Sequence, residues 1–146
     1  MKDYTTHIDP KYLHSEITAK ILQGFYIVCN EIGYGFGHDF FVRSLIVELE
    51  SLGLKCENDK LVKVSYKGVE IGGFTMDILV DEKVNVKLIS SEKILREHEV
   101  TLTNQLKLSK IEVGLLLNIY IEGEHKRKIF TNGIKKQYSQ HTEIIR

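Results

Sequence analysis

Three residue patterns in the chain suggest chemistry, and none of them predicts a catalytic site by itself. Cys29 and Cys56 are the only two cysteines and form no C-x-x-C pattern, so a zinc site or a redox pair is not expected. Residues 33–37 read Gly-Tyr-Gly-Phe-Gly, but they follow a predicted helix, whereas a phosphate-cradling loop follows a strand. Asp81-Glu82-Lys83 joins carboxylates to a lysine, yet it lies at a predicted hairpin turn, so we interpret it as a solvated turn.

Positive charge is concentrated at Lys126-Arg127-Lys128, together with Lys135-Lys136. Two interpretations of this cluster stay open: a weak nucleic-acid-binding patch, or the solvated edge of a sheet. The 20 lysines and arginines are balanced by 20 aspartates and glutamates. Since a neutral chain lacks the overall positive field that drives non-specific binding to phosphate backbones, nucleic acid is only a weakly supported partner.

The elements that must position these residues begin with two helices. Apolar residues repeat at helical spacing from Leu13 to Ile32, and Gly33 supplies a C-cap. A second helix is predicted from about Asp39 to Leu52. Cys29 lies in the apolar stripe of the first helix and is expected to be a buried thiol. A disulfide between Cys29 and Cys56 stays open.

Period-two patterns predict strands in the rest of the chain. Lys67-Gly68 and Asp81-Glu82-Lys83 are the expected turns, and Gly72-Gly73 predicts a bulge. The remaining elements are predicted as strands at 61–64, 69–80 and 84–89, a helix at 90–108, a buried strand at 113–119 and a short edge strand at 128–130.

The resulting order α-α-β-β-β-α-β-β predicts a mixed α/β fold, with one central mixed sheet flanked by helices. We expect a single domain at residues 13–130, an N-terminal arm at 1–12 and a polar C-terminal tail at 131–146. No apolar run approaches the roughly 20 residues that span a bilayer, and the first residues lack a signal-peptide core. A cytoplasmic protein without membrane contact is therefore expected.

Several segments together resemble the family named for its GxxExxY motif, a branch of the PD-(D/E)XK nuclease superfamily. The matching segments are Glu31 to Gly35, Leu49 to Lys55, Tyr66 to Gly73, Asp77 to Val80, His98-Glu99, Gln105 to Leu108 and Gly114 to Asn118. They cover roughly residues 13–130 in the family's order. The resemblance implies a restriction-endonuclease-like fold and Mg²⁺-dependent phosphodiester hydrolysis, in which carboxylates hold the metal and a lysine assists.

Most of the site residues that this resemblance implies are replaced. Asp77 matches the family's strand aspartate. The E-x-K pattern of the next strand falls on Lys87-Leu88-Ile89, and the GxxExxY motif falls on Gly35 to Phe41. The substituted positions are His38 and Lys87 for glutamates, Phe41 for the tyrosine, Ile89 for the lysine and Thr101 for a helix glutamine.

These replacements predict a site without a metal or other cofactor. Lys87 changes the local charge by two units against Mg²⁺, and a lone aspartate is a weak ligand set. We hypothesise that the Lys87 ammonium compensates Asp77 in place of the metal. An alternative is that His38 and Asp77 bind a softer divalent metal. His98 is expected to make a structural hydrogen bond at its helix.

The resemblance therefore leads to the hypothesis of a catalytically inactive nuclease-fold protein that acts as a binding or structural module. Its partner is expected to be another protein or a second copy of the chain. One alternative is a Mg²⁺-dependent nuclease with relocated residues, such as Lys83 or Lys93 as its lysine. Another is a non-catalytic nucleic-acid-binding domain that uses Lys126, Arg127 and Lys128, with an affinity that falls with salt.

Overall fold

A computed structural model describes residues 12–138 and 142–145, which form a six-stranded sheet with helices on both faces. The helices are α1 (Ser15–Glu31), α2 (His38–Ser51), α3 (Arg96–Lys107) and α4 (Asn132–Tyr138). The strands are β1 (Cys56–Tyr66), β2 (Val69–Val80), β3 (Val84–Ile89), β4 (Val113–Asn118), β5 (Glu124–Ile129) and β6 (Thr142–Ile145). The first eight elements follow the predicted order, and the mixed α/β fold is confirmed. None of the helices in this part of the chain has the length and hydropathy that a bilayer crossing requires.

The sheet is mixed because one of its neighbouring pairs is parallel. The strand order is β5-β4-β3-β2-β1-β6, in which β3 and β4 run parallel and the other neighbours are antiparallel. A parallel pair needs a crossover connection, and α3 supplies it between β3 and β4. The carboxyl ends of β3 and β4 therefore meet at the same edge of the sheet.

The predicted alternation along β3 is confirmed and divides the sheet into two faces. Val84, Val86 and Leu88 are buried in the core that α1 and α2 form with the sheet. Asn85 lies on the opposite face, where its Nδ2 donates a 3.0 Å hydrogen bond to Oε1 of Gln105 in α3. β3 is thus covered by helices on both sides, as its near-continuous apolar sequence requires.

The β1–β2 hairpin has the turn and the bulge that the glycines predict. Lys67 and Gly68 have φ values of 50° and 79°, which suit the twisted two-residue hairpin turn. Val64 pairs with Gly72 but Ser65 pairs with Glu70, so Ile71 is the extra residue of a bulge.

The start of α3 is a correction to the predicted helix at 90–108. Residues 90–95 form a loop, and α3 begins only at Arg96. The Asn118 side chain bonds both backbone groups of Ser91, with the Ser91 N–H donating at 2.9 Å and the Asn118 amide donating to Ser91 O at 2.9 Å. The Leu95 N–H then donates to His98 Nδ1 at 3.0 Å, so His98 makes the expected structural hydrogen bond.

The C-terminal segment also differs from the prediction. Residues 131–146 are expected to be a tail, but they contain α4 and β6, and β6 pairs with β1 at Lys63–Tyr66. Lys135 attaches α4 to the domain because its Nζ donates to the backbone carbonyls of Ser109 at 3.0 Å and Ile111 at 2.6 Å. The sequence does not predict α4 because its buried residue is a lysine in a polar segment, so no apolar residues repeat at helical spacing. The predicted arm at 1–12 lies outside the described residues except for Tyr12.

The burial of Lys135 predicts that stability depends on pH. Burial lowers the pKa of its ammonium from 10.5 to about 8, against a smaller opposing effect of Glu112. Between these two values the unfolded chain binds more protons than the folded chain, so the free energy of unfolding should rise with pH. Urea unfolding of the wild type and of Lys135→Met, measured from about pH 7 to about pH 10, should show a rise that only the wild type has. The difference between the two curves removes the titration of other groups, and equal slopes would contradict the assignment.

Candidate functional site

Asp77 lies on β2 at the point where β2 and β3 stop pairing. The last paired residues of that ladder are Ile78 and Val86, one residue short of Asp77. Beyond it, the backbone N–H of Leu88 donates a 2.8 Å hydrogen bond to Asp77 Oδ2, and the Asp77 side chain is 17% exposed. The Asp77 carboxylate therefore accepts the hydrogen bond that a backbone carbonyl of β2 would accept from β3 if the two strands were still paired.

His38, the first residue of α2, contacts this carboxylate with its side chain. Its Nε2 lies 3.4 Å from Asp77 Oδ2, and its Nδ1 lies 3.5 Å from Asp39 Oδ1. The imidazole is half-exposed and stands between a mostly buried and an almost fully exposed carboxylate. When it is protonated, both contacts are ion pairs. The structure thus brings together His38 and Asp77, two residues that the resemblance implies belong to one site.

Lys87 is not the partner of Asp77, which corrects the hypothesis that its ammonium compensates this carboxylate. In the part of the chain that the structure describes, no carboxylate oxygen lies within 4 Å of Lys87 Nζ. The register that pairs Ile78 with Val86 places Lys87 opposite Asp77 along the two strands, but its ammonium makes no contact with the carboxylate. The side chain that contacts Asp77 is His38, which approaches from α2.

The other substituted positions are not gathered around the carboxylate. Phe41 is 2% exposed and packs edge-on against Phe25, with ring centroids 6.0 Å apart, so it belongs to the core. Ile89 lines a small pocket with Phe41 and the loop at residues 33–38. Thr101 is exposed, and its Oγ1 donates to the carbonyl of Glu97 within the same helix at 2.9 Å.

Gln105 is the glutamine of α3 that faces the sheet, whereas the resemblance matches the family's helix glutamine with Thr101. Gln105 lies one helical turn after Thr101, on the same side of α3. Its Oε1 accepts from Asn85, which is fully buried and whose Oδ1 has no partner in the described structure. The sequence contains a signal for this contact: Asn85 is a polar residue in a strand that is buried on both faces, and a buried polar side chain needs a hydrogen-bond partner.

The residues around Asp77 do not fit a resident Mg²⁺ ion. Among residues 12–138 and 142–145, no three histidine, cysteine, aspartate or glutamate side chains are grouped so that they could hold a metal. His38 turns Nδ1 toward Asp39 and Nε2 toward Asp77. A metal ion bound to one of these nitrogens would therefore have only one of the two carboxylates beside it. The carboxylate-rich octahedral environment that Mg²⁺ prefers is therefore missing here.

The two cysteines are free thiols and do not supply a metal site or a nucleophile. Cys29 packs half-buried against the core, and burial raises the pKa of its thiol to about 12. Burial, with Glu50 and Asp81 nearby, raises the pKa of Cys56 to about 11. Since the thiolate is the reactive and metal-binding form, both side chains are inert at neutral pH.

The basic segment of β5 uses its charges within the domain. Lys126 and Lys128 both contact Glu99 of α3, at 3.3 Å and 2.6 Å, and these two hydrogen-bonded ammonium groups lower the pKa of the Glu99 carboxyl. Arg127 donates to the carbonyl of Leu13 at 2.8 Å and lies over the ring of Tyr12, 5.3 Å from its centroid. These contacts favour a structural role over phosphate binding, which stays an untested prediction.

Comparison with known proteins gives one match. A family model for the PD-(D/E)XK nuclease superfamily matches residues 15–129, well over half of the chain. The matched range begins with α1 and ends with β5, so it contains the whole predicted element order and the site around Asp77. Searches of curated proteins and of solved structures gave no match.

The hydrogen bond between Leu88 and Asp77 predicts unequal effects of two substitutions. Asp77→Ala leaves the buried Leu88 N–H without its acceptor and should cost about 1–3 kcal/mol in the free energy of unfolding. Asp77→Asn keeps an acceptor oxygen and should cost clearly less. Urea denaturation of the three proteins, with equal slopes as the check of two-state behaviour, measures the difference. Equal losses would show that the carboxylate does not support the strand.

Proposed function

The chain belongs to the PD-(D/E)XK nuclease superfamily, and we propose that it is a member of the GxxExxY branch that keeps the nuclease scaffold without nuclease activity. It acts as a binding module. The absence of a Mg²⁺ ligand set around Asp77 in the described residues is the observation on which this proposal rests.

Phosphodiester hydrolysis in this superfamily needs a divalent cation that neutralises developing charge and activates water. The carboxylate that should hold it already accepts the Leu88 N–H and faces His38. The glutamate and lysine positions of the E-x-K pattern hold Lys87 and Ile89. An ammonium where the metal needs an anion opposes cation binding, and an isoleucine cannot orient water.

A relocated active site is disfavoured by the same geometry. His38 and Asp77 could hold a softer metal, but two ligands are too few for a stable site, and Asp39 contacts the other ring nitrogen. Lys83 follows the turn residues Asp81 and Glu82, whose φ values of 51° and 57° confirm a tight turn. Glu82 contacts Lys55 across 3.9 Å at the surface, which supports the solvated interpretation.

The proposal predicts that the wild-type protein neither cleaves nucleic acid nor binds a catalytic metal. Single- and double-stranded DNA and RNA should stay intact with Mg²⁺ or Mn²⁺, and neither ion should give a saturable rise in the melting temperature. The matched control is Asp77→Asn, which should show the same background. Cleavage that this substitution abolishes would establish the active alternative.

Restoring the missing groups is the complementary experiment. His38→Glu, Lys87→Glu and Ile89→Lys in one protein would return the residue types that the resemblance implies at these three positions. This triple variant should gain a saturable Mn²⁺-dependent rise in melting temperature, because the local charge then favours a cation. Adding Asp77→Asn should remove the gain, and a triple variant with Lys87→Gln instead of Lys87→Glu should show little of it. A wild type that responds to Mn²⁺ as strongly as the triple variant would contradict the proposal.

A further inference from the structure

Six exposed or partly exposed apolar side chains lie at the end of α1, in the loop before α2, at the start of α2 and in the loop after β4, and we call them the aromatic patch. It consists of Ile32, Tyr34, Phe36, Phe40, Tyr120 and Ile121. Phe36 and Phe40 stack with ring centroids 4.8 Å apart and an interplanar angle of 19°. Tyr34 and Tyr120 pack at 5.0 Å, which joins the loop after α1 to the loop after β4.

The glycine-rich loop at residues 33–37 displays two of these rings. Gly33, Gly35 and Gly37 have φ values of 82°, 106° and 89°, which other residues adopt only with strain. Glycine therefore alternates with Tyr34 and Phe36, and the backbone turns so that both rings stay outside the core. This gives the Gly-Tyr-Gly-Phe-Gly sequence a role other than phosphate binding.

The size of the aromatic patch matches one side of a protein–protein interface. Tyr34, Phe36 and Phe40 are 46%, 59% and 47% exposed. With about 150–250 Å² for a complete aromatic side chain, the three rings offer about 300 Å² of apolar surface. Ile121, which is 69% exposed, and Ile32 add to it. The total approaches the apolar part of the roughly 800 Å² that each partner contributes to a standard interface.

Carboxylates outnumber basic residues in the segments that form the aromatic patch. Residues 31–42 and 119–124 contain Glu31, Asp39, Glu122 and Glu124, and the basic residues that follow them are Arg43 and Lys126, of which Lys126 contacts Glu99. In the part of the chain that the structure describes, Glu31 and Glu122 have no cationic side chain within 4 Å. The surface therefore combines an apolar centre with an acidic rim.

We propose that the aromatic patch binds a protein segment with an apolar face bordered by lysines or arginines, such as a basic amphipathic helix. The rings supply the buried anchors, and the carboxylates complement the partner's charges. This inference rests on the proposed function, because it names the partner class of the binding module.

The acidic rim also separates this partner from two others. A nucleic acid would bring phosphates against Glu31 and Glu122, which repel them. A second copy of the chain, docked about a two-fold axis, would bring an equally acidic surface against this one, and like charges would repel. A basic protein segment meets neither repulsion.

Fluorescence anisotropy with two labelled helical peptides tests the proposal. Both peptides carry the same leucines and phenylalanines on one face, and the other face has lysines in the first peptide and glutamates in the second. The full-length protein should bind the lysine peptide at least tenfold more tightly than the glutamate peptide. Binding should weaken as salt rises and in the double variant Glu31→Gln, Glu122→Gln.

Single-ring variants locate the binding site. Tyr34→Ala and Phe36→Ala should each weaken binding of the lysine peptide about tenfold or more, as hot-spot residues do. Val47→Ala is the matched control, because Val47 is 70% exposed on α2 and lies outside the aromatic patch. Circular dichroism and melting temperature verify that each variant is folded.

Several results would overturn the proposal. These are no binding of the lysine peptide, equal binding of both peptides, or undiminished binding by Tyr34→Ala and Phe36→Ala. Light scattering that shows a wild-type dimer and a monomeric Phe36→Ala would assign the aromatic patch to a second copy. Single-stranded DNA or RNA binding that Phe36→Ala removes would assign it to nucleic acid. Metal-dependent cleavage would refute the inactive-nuclease proposal alone, since the peptide measurements do not depend on it.

Discussion

β3 and β4 run parallel, and this pairing brings the loops that follow the two strands to the same edge of the sheet. Ile89 and Asn118 end their strands at the same edge of the sheet, so the loops that follow them are neighbours there. The Ile119 N–H donates to Ile89 O at 2.9 Å, and Asn118 holds Ser91 through its side chain. The loop before α2 closes over the same edge, where it lines a pocket with Leu88, Ile89 and Ile119. His38 and the aromatic patch therefore lie at this edge, and Asp77 reaches it from β2 through its hydrogen bond with Leu88.

The same strand determines which neighbours Lys87 and Leu88 have. A strand that is covered on both faces assigns alternate residues to different neighbours, so the partners of Lys87 and Leu88 differ completely. Leu88 reaches Asp77 through its backbone N–H, which any residue other than proline would supply. Lys87 lies on the face of β3 that also carries Asn85. The scaffold contact of Asp77 can persist without the metal, since it depends on the backbone and not on the replaced side chains.

Most of the fold was predictable from the sequence because its elements show clear periodicity. The apolar stripe of α1, the alternation of β3 and the glycines of the β1–β2 hairpin each depend on local preferences that the residues reveal directly. Tertiary contacts decided the rest. Asn118 holds the chain at Ser91 and delays α3, and Lys135 joins α4 to the loop at Ser109 and Ile111. Within the site, the closeness of His38 and Asp77 was predictable, whereas the role of Gln105 depended on which turn of α3 faces Asn85.

The loop at residues 33–37 shows how a binding surface can arise beside a site that lacks its metal ligands. Its glycines are costly in the unfolded chain, because each has more conformational freedom to lose than any other residue. Its exposed rings forgo the stabilisation that burial of an aromatic side chain provides. The contacts of Tyr34 with Tyr120 and of Phe36 with Phe40 leave about half of each ring exposed, and the core beneath is completed by Phe41 and Phe25. A surface partner that covers Tyr34 and Phe36 would recover the burial, and the surrounding carboxylates restrict that partner to one with positive charge.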